Sequence, residues 1–132
     1  MKRHPVTYLR DMLENMRDAQ DFVSGLSLQQ FTADKKTINA VLRSIEVIGE
    51  AAKHVPEAVR ARHPGIPWRE MAGMRDKLIH DYAGVDASLV WLTVTDRVPA
   101  LRPLIQKAVS ELDDSSSSVG DTPGAADGTK IQ

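Results

Sequence analysis

The chain has 132 residues, room for one domain, and its 42% hydrophobic content supports a packed core without staples. The lack of cysteine excludes a disulfide framework, a thiolate metal site and a thiol nucleophile. No run of about 18 apolar residues could span a membrane, and Met1 to Leu13 lacks the apolar stretch of a signal peptide, so a cytoplasmic protein without a membrane partner is expected. The net charge of -1 is uneven: residues 113–132 carry four aspartates against Lys130, leaving residues 1–112 with 16 cationic and 14 anionic side chains, a net +2. A surplus that small neither demands nor forbids a polyanion partner.

Apolar residues recur at helical spacing along the chain, and no segment alternates with period two. Pro5 suits a first helical turn, and Leu9, Met12, Leu13, Met16, Ala19 and Val23 form one stripe before Gly25, predicting a helix over about 5–24. Ser27 with Gln30 forms a capping box for a short turn. Ile38, Val41, Leu42, Ile45, Ile48, Gly49, Ala52 and Val55 then give a long second stripe that Pro56 ends. A short connecting helix over Glu57 to Arg62 closes at His63-Pro64-Gly65. Pro67 opens a further helix from Trp68 to about His80, with Met71, Met74 and Leu78 inward. Gly84 ends that region. Asp86 caps a last helix with Val90, Val94, Val98, Leu101, Ile105, Ala108 and Leu112 in its stripe, and Pro99 and Pro103 bend or restart it.

The expected fold is all-α, an up-and-down four-helix bundle with a short connecting helix, over residues 1–112. Residues 113–132, rich in Ser, Gly and Asp with Val119 and Ile131 as the only large apolar residues, cannot offset their ordering entropy and read as a disordered tail.

Chemistry concentrates in Met74-Arg75-Asp76-Lys77-Leu78-Ile79-His80-Asp81-Tyr82. On a helix, Asp76 and His80 stand at i and i+4, so the carboxylate orients the imidazole and raises its basicity. Arg75 lies five residues before His80, about 140° away on a regular helix; the two converge only if the arginine reaches round or the helix loosens near His80. A second copy of the chain would bring Arg and His pairs together across a two-fold axis. Such a set suits RNA cleavage without metal: a 2′-hydroxyl attacks phosphorus, one imidazole takes its proton, another protonates the leaving 5′-oxygen, and guanidinium stabilises the phosphorane.

In these residues the chain resembles the HepT-like family of the HEPN superfamily, whose signature R-x-x-x-x-H-x-Y is matched by Arg75, His80 and Tyr82. The likeness extends to the segments beginning Ala40-Val41-Leu42-Arg43, His63-Pro64-Gly65-Ile66-Pro67-Trp68 and Gly84-Val85-Asp86, and to Val90-Trp91. It implies the toxin of a toxin–antitoxin pair, a metal-independent endoribonuclease that acts as a homodimer. It also implies a cognate minimal nucleotidyltransferase antitoxin that silences the toxin by moving AMP from ATP to the motif tyrosine, here Tyr82. An adenylate two residues past His80 would set bulk and negative charge where substrate phosphate sits and compete for Arg75. Asp76 stands where many relatives carry Asn; an aspartate favours protonated His80. The alternative is a catalytically silent helical protein that binds the nucleotidyltransferase, with the motif as its docking surface.

Glu46 and Glu50, at i and i+4 on the second helix, are expected to pair with Arg43, Lys53 or Arg75 and so position that arginine, with Gly49 admitting a neighbouring helix. His4, His54 and His63 show no metal-ligand spacing and are expected to be solvated, and no cofactor is expected. Trp68, Trp91 and Tyr8 are expected to pack, with base stacking the other use of the tryptophans, and Lys35 and Lys36 to form a solvated face.

Overall fold

The computed structural model describes residues 3–80 and 84–121, with side chains from Arg3 to Ile79 and from Gly84 to Asp114. Helix α1 (Pro5–Val23) begins with proline in its first turn, and the His4 ring nitrogen Nδ1 accepts from the Val6 N–H at 3.1 Å. Its end is set by Gly25, whose φ of +81° is a left-handed conformation that costs glycine little. Helix α2 (Leu28–Thr32) carries the expected capping box, Gln30 N–H to Ser27 Oγ and Ser27 N–H to Gln30 Oε1. Asp34 caps α3 (Lys35–His54) by accepting from the Thr37 N–H and hydroxyl. The connector α4 (Glu57–Arg62) occupies the residues predicted for it.

The third long element is not one helix. It divides at Gly73 into α5 (Trp68–Ala72) and α6 (Met74–Leu78), because Gly73 sits at φ -102°, ψ 7°, off the helical line. It also stops short of His80: Ile79 is extended (φ -120°, ψ 125°) and starts a two-residue antiparallel pair, β1 (Ile79–His80) with β2 (Gly84–Val85). Branched Ile79 and Val85 sit opposite each other, and Gly84 adopts φ +82°. The expectation of a helix through His80 is therefore corrected, as is that of no β pairing. Asp81, Tyr82 and Ala83 lie outside the described residues.

Asp86 caps α7 (Ala87–Leu92), accepting from the Leu89 N–H at 3.1 Å. A π-helical turn over Thr93–Arg97 joins it to α8 (Val98–Asp121). The prolines do not break this helix. Val98 N–H reaches back five residues to the Thr93 carbonyl, and the widened turn lies directly before Pro99, which has no N–H to give. The Thr93 and Thr95 hydroxyls also bond the Leu89 and Trp91 carbonyls, at 2.8 Å. The last helix continues to Asp121, past the boundary drawn at 112, and Asp113 grips Arg10 at 2.6 and 2.7 Å.

Inter-helix pairs fix the topology. Arg10 meets Asp113, Arg17 meets Gln106 and Gln20 meets Arg102, so α1 and α8 run antiparallel. Gly49 faces Ala72 and Glu46 faces Arg75, so α3 and the α5–α6 arm run antiparallel too. The result is the expected all-α, four-helix bundle, one arm kinked. Its core joins Leu9, Met12 and Met16 with Ile45, Ile48, Met71, Leu101 and Ile105, all essentially solvent-free. Burying each such side chain stabilises by roughly 1.5–3 kcal/mol. No described helix is long and apolar enough to cross a membrane.

Candidate active site

The site is organised by one close backbone approach. A Cβ at position 49 would stand 3.2 Å from the carbonyl oxygens of both Met71 and Ala72, so glycine alone lets α5 lie this close to α3. One turn farther, α6 lifts Arg75 over the α3 surface. There its Nε faces Glu46 Oε2 at 3.7 Å and its Nη1 faces Asp76 Oδ1 at 3.9 Å. Glu46 also holds Arg43 at 2.9 Å, and Glu50 holds Lys53 at 3.3 Å. Glu46, Glu50, Lys53 and Arg75, with Gly49, Ala72 and Asp76, line a hollow of about 130 Å³. Both glutamates thus sit in the ion pairs expected of them, and Glu46 is the one that reaches Arg75. The guanidinium is about half exposed (47%), so it is tethered by carboxylate yet open to an incoming anion.

Asp76 and His80 do not share a helical face. The helix closes at Leu78, the Asp76 side chain is 86% exposed, and its ion-pair partner is Arg75. Helical spacing therefore does not set Asp76 against His80, contrary to expectation. The 140° separation between Arg75 and His80 belongs to a regular helix, which the chain leaves at Leu78. The His80 backbone is paired with Gly84, while its side chain and Tyr82 lie outside the described residues.

Behind the arm, Glu70 and Arg97 form a two-pronged ion pair at 2.6 and 2.7 Å, locking α5 to the π turn. The hydrogen bonds from Arg97 hold the Glu70 carboxyl below its ordinary range against the opposing cost of desolvation, and Glu70 raises the guanidinium in turn. These residues escaped the sequence reading because they lie 27 apart with no local pattern between them. A hollow of about 210 Å³ beside the pair is edged by Leu78, Leu89 and Leu92.

His4 and His54 are exposed as expected, and His63 is not. His63 is largely covered, at 12% exposure, with Nε2 3.5 Å from Glu111; His54 stacks on Tyr8 with ring centroids 5.4 Å apart; and His4 caps α1. Trp68 is buried with its indole N–H on the His63 carbonyl, and Trp91 leans on Phe31, so both pack as expected. Lys35 and Lys36 are exposed. Among the described residues no cluster of His, Asp and Glu could hold a metal ion.

A kinked all-α bundle with an arginine–carboxylate cluster beside a helix end is the class to which these features assign the chain. The chain belongs to the ribonuclease HepT-like family, whose model matches residues 12–108. It is 46% identical over 107 residues to a protein of Thermococcus cleftensis named probable ribonuclease HepT, covering 81% of this chain and 97% of that one. It is 41% identical over 112 residues to a candidate RNase of Methanocaldococcus jannaschii, covering 85% and 93%. It is 37% identical over 107 residues to a candidate RNase of Caldanaerobacter subterraneus subsp. tengcongensis, covering 81% and 96%. No solved structure matches the chain.

Proposed function

We propose that this protein is the toxin of a toxin–antitoxin pair: a cytoplasmic, metal-independent endoribonuclease whose site forms between two copies of the chain. The observation that carries the reading is Arg75, tethered by Glu46 at 3.7 Å and half open to solvent, five residues before His80 in a member of a ribonuclease family. In the reaction, the 2′-hydroxyl of RNA attacks the adjacent phosphorus as one His80 takes its proton. The bond to the 5′-oxygen breaks and that oxygen receives a proton from the second His80, leaving a cyclic phosphate and a free 5′-hydroxyl. Arg75 neutralises the phosphorane, and Glu46, with Glu50 and Asp76 alongside, keeps the guanidinium on station. One chain has one histidine in the motif, so symmetry supplies the other.

Control resides at Tyr82. A minimal nucleotidyltransferase partner joins the Tyr82 oxygen to the α-phosphorus of ATP, pyrophosphate leaves, and the phenolic proton is lost. The attached phosphate then competes with substrate for Arg75. The test is RNA incubated with the purified protein in EDTA, beside His80→Ala and Arg75→Ala. Cleavage by the unaltered protein alone is expected; intact RNA, or equal cleavage by all three, refutes the mechanism and favours a silent binding partner of the nucleotidyltransferase.

A further inference from the structure

The Arg75 hollow does not end at Arg75. Glu46 and Glu50 also line a second hollow, of about 300 Å³, between α1 and α3, so the two hollows adjoin across these side chains on α3. Positions 46, 50 and 54 fall at four-residue steps, so His54 lies about 12 Å along the helix from Glu46. That is the rise of about three stacked nucleotides at roughly 3.4 Å each.

At the far end stands an aromatic platform. The His54 ring, on an exposed residue, lies against Tyr8 at 5.4 Å between centroids with planes 19° apart, and the Arg3 guanidinium covers Tyr8 at 5.2 Å from its centroid. One face of His54 is held flat by tyrosine and the ring lines the hollow. Cations flank this stretch of α3: Lys53 on Glu50 at 3.3 Å beside the platform, and Arg43 on Glu46 at 2.9 Å about one turn beyond Glu46. Exposed pairs of this kind bind their partners weakly, so a phosphate can replace the carboxylate at small cost.

We infer that this groove is a substrate subsite in which single-stranded RNA runs along α3 from the scissile phosphate at Arg75 and stacks a base on His54. A ring platform with cations along the track is what single strands require, and stacking tolerates any base. The inference rests on the ribonuclease reading for its substrate, and its test is independent of cleavage.

The experiment measures binding of the full chain to a fluorescein-labelled RNA octamer of mixed sequence with 2′-O-methyl groups, which lack the attacking hydroxyl. His54→Ala is expected to weaken binding about tenfold. His54→Phe, which keeps a ring, should stay within twofold of the unaltered protein, and Arg43→Ala should reduce the salt dependence by about one phosphate contact. Equal affinity for His54→Ala and the unaltered chain overturns the subsite, as does a His54→Phe variant as weak as His54→Ala. A change of oligomeric state with His54→Ala, seen by light scattering, also overturns it by making the face a contact between copies. Unmodified RNA left intact while the expected binding pattern holds supports the groove and refutes only the ribonuclease reading.

Discussion

Gly49→Ala tests the arrangement that carries Arg75. The added methyl would sit 3.2 Å from two backbone carbonyl oxygens, those of Met71 and Ala72, and backbone cannot rotate aside as a side chain can. The arm is also anchored on its other sides, by buried Trp68 and Met71 and by the Glu70–Arg97 pair. Overpacking of this kind costs about 1–3 kcal/mol, while alanine in a helix interior returns about 1 kcal/mol over glycine. The net is a destabilisation of about 1 kcal/mol, some 4 °C in Tm for a domain of this size. The arm must shift by a few tenths of an ångström, which lengthens the 3.7 Å Arg75–Glu46 contact one turn away. RNA cleavage should therefore fall more than stability explains at a temperature where the variant is fully folded. A calorimetric melt with a cleavage assay at 25 °C measures both effects. A Gly49→Ala protein that is more stable and fully active refutes the argument.

Glu46→Gln should leave the fold intact yet lower cleavage several-fold, because the neutral amide holds Arg75 less firmly; kinetics should show the loss in kcat more than in KM. Arg97→Ala should cost roughly 1 kcal/mol after allowance for its exposure, read as a drop in Tm. Because Arg97 holds the Glu70 pKa below its ordinary 4.5, that pair's stabilisation is present above about pH 4.5 and is lost as pH falls through the lower folded value. Denaturation between pH 5 and 3 should accordingly narrow the gap between the unaltered protein and Arg97→Ala. Co-expression with the partner nucleotidyltransferase should add the mass of one AMP per chain, and Tyr82→Phe should abolish the addition; an intact-mass spectrum decides it.

Most of the bundle was legible because periodicity and caps act locally: Ser27 and Gln30 close their box, Asp86 caps its helix, and the core stripes face inward. The error at the motif was also local in origin. A strong apolar register from Met71 through Leu78 masked two stop signals, Gly73 within the run and branched Ile79 beside it, whose preference for extended backbone is realised only when Val85 and Gly84 return to pair with it. Pairing across a turn is a tertiary event, which helical spacing does not encode. The same limit hid Glu70–Arg97 and the His63–Glu111 contact, each made between segments distant in sequence. The Glu46 and Glu50 ion pairs were legible because i, i+3 neighbours on α3 supply Arg43 and Lys53.

Specific RNA-cleaving activity in EDTA, followed through a dilution series in which mass photometry counts the copies per particle, addresses the shared site most directly. Activity per chain is expected to fall in step with the dimer fraction and to vanish for isolated chains. Undiminished cleavage by single chains, or none by dimers, would contradict a pocket built from two copies of Arg75 and His80.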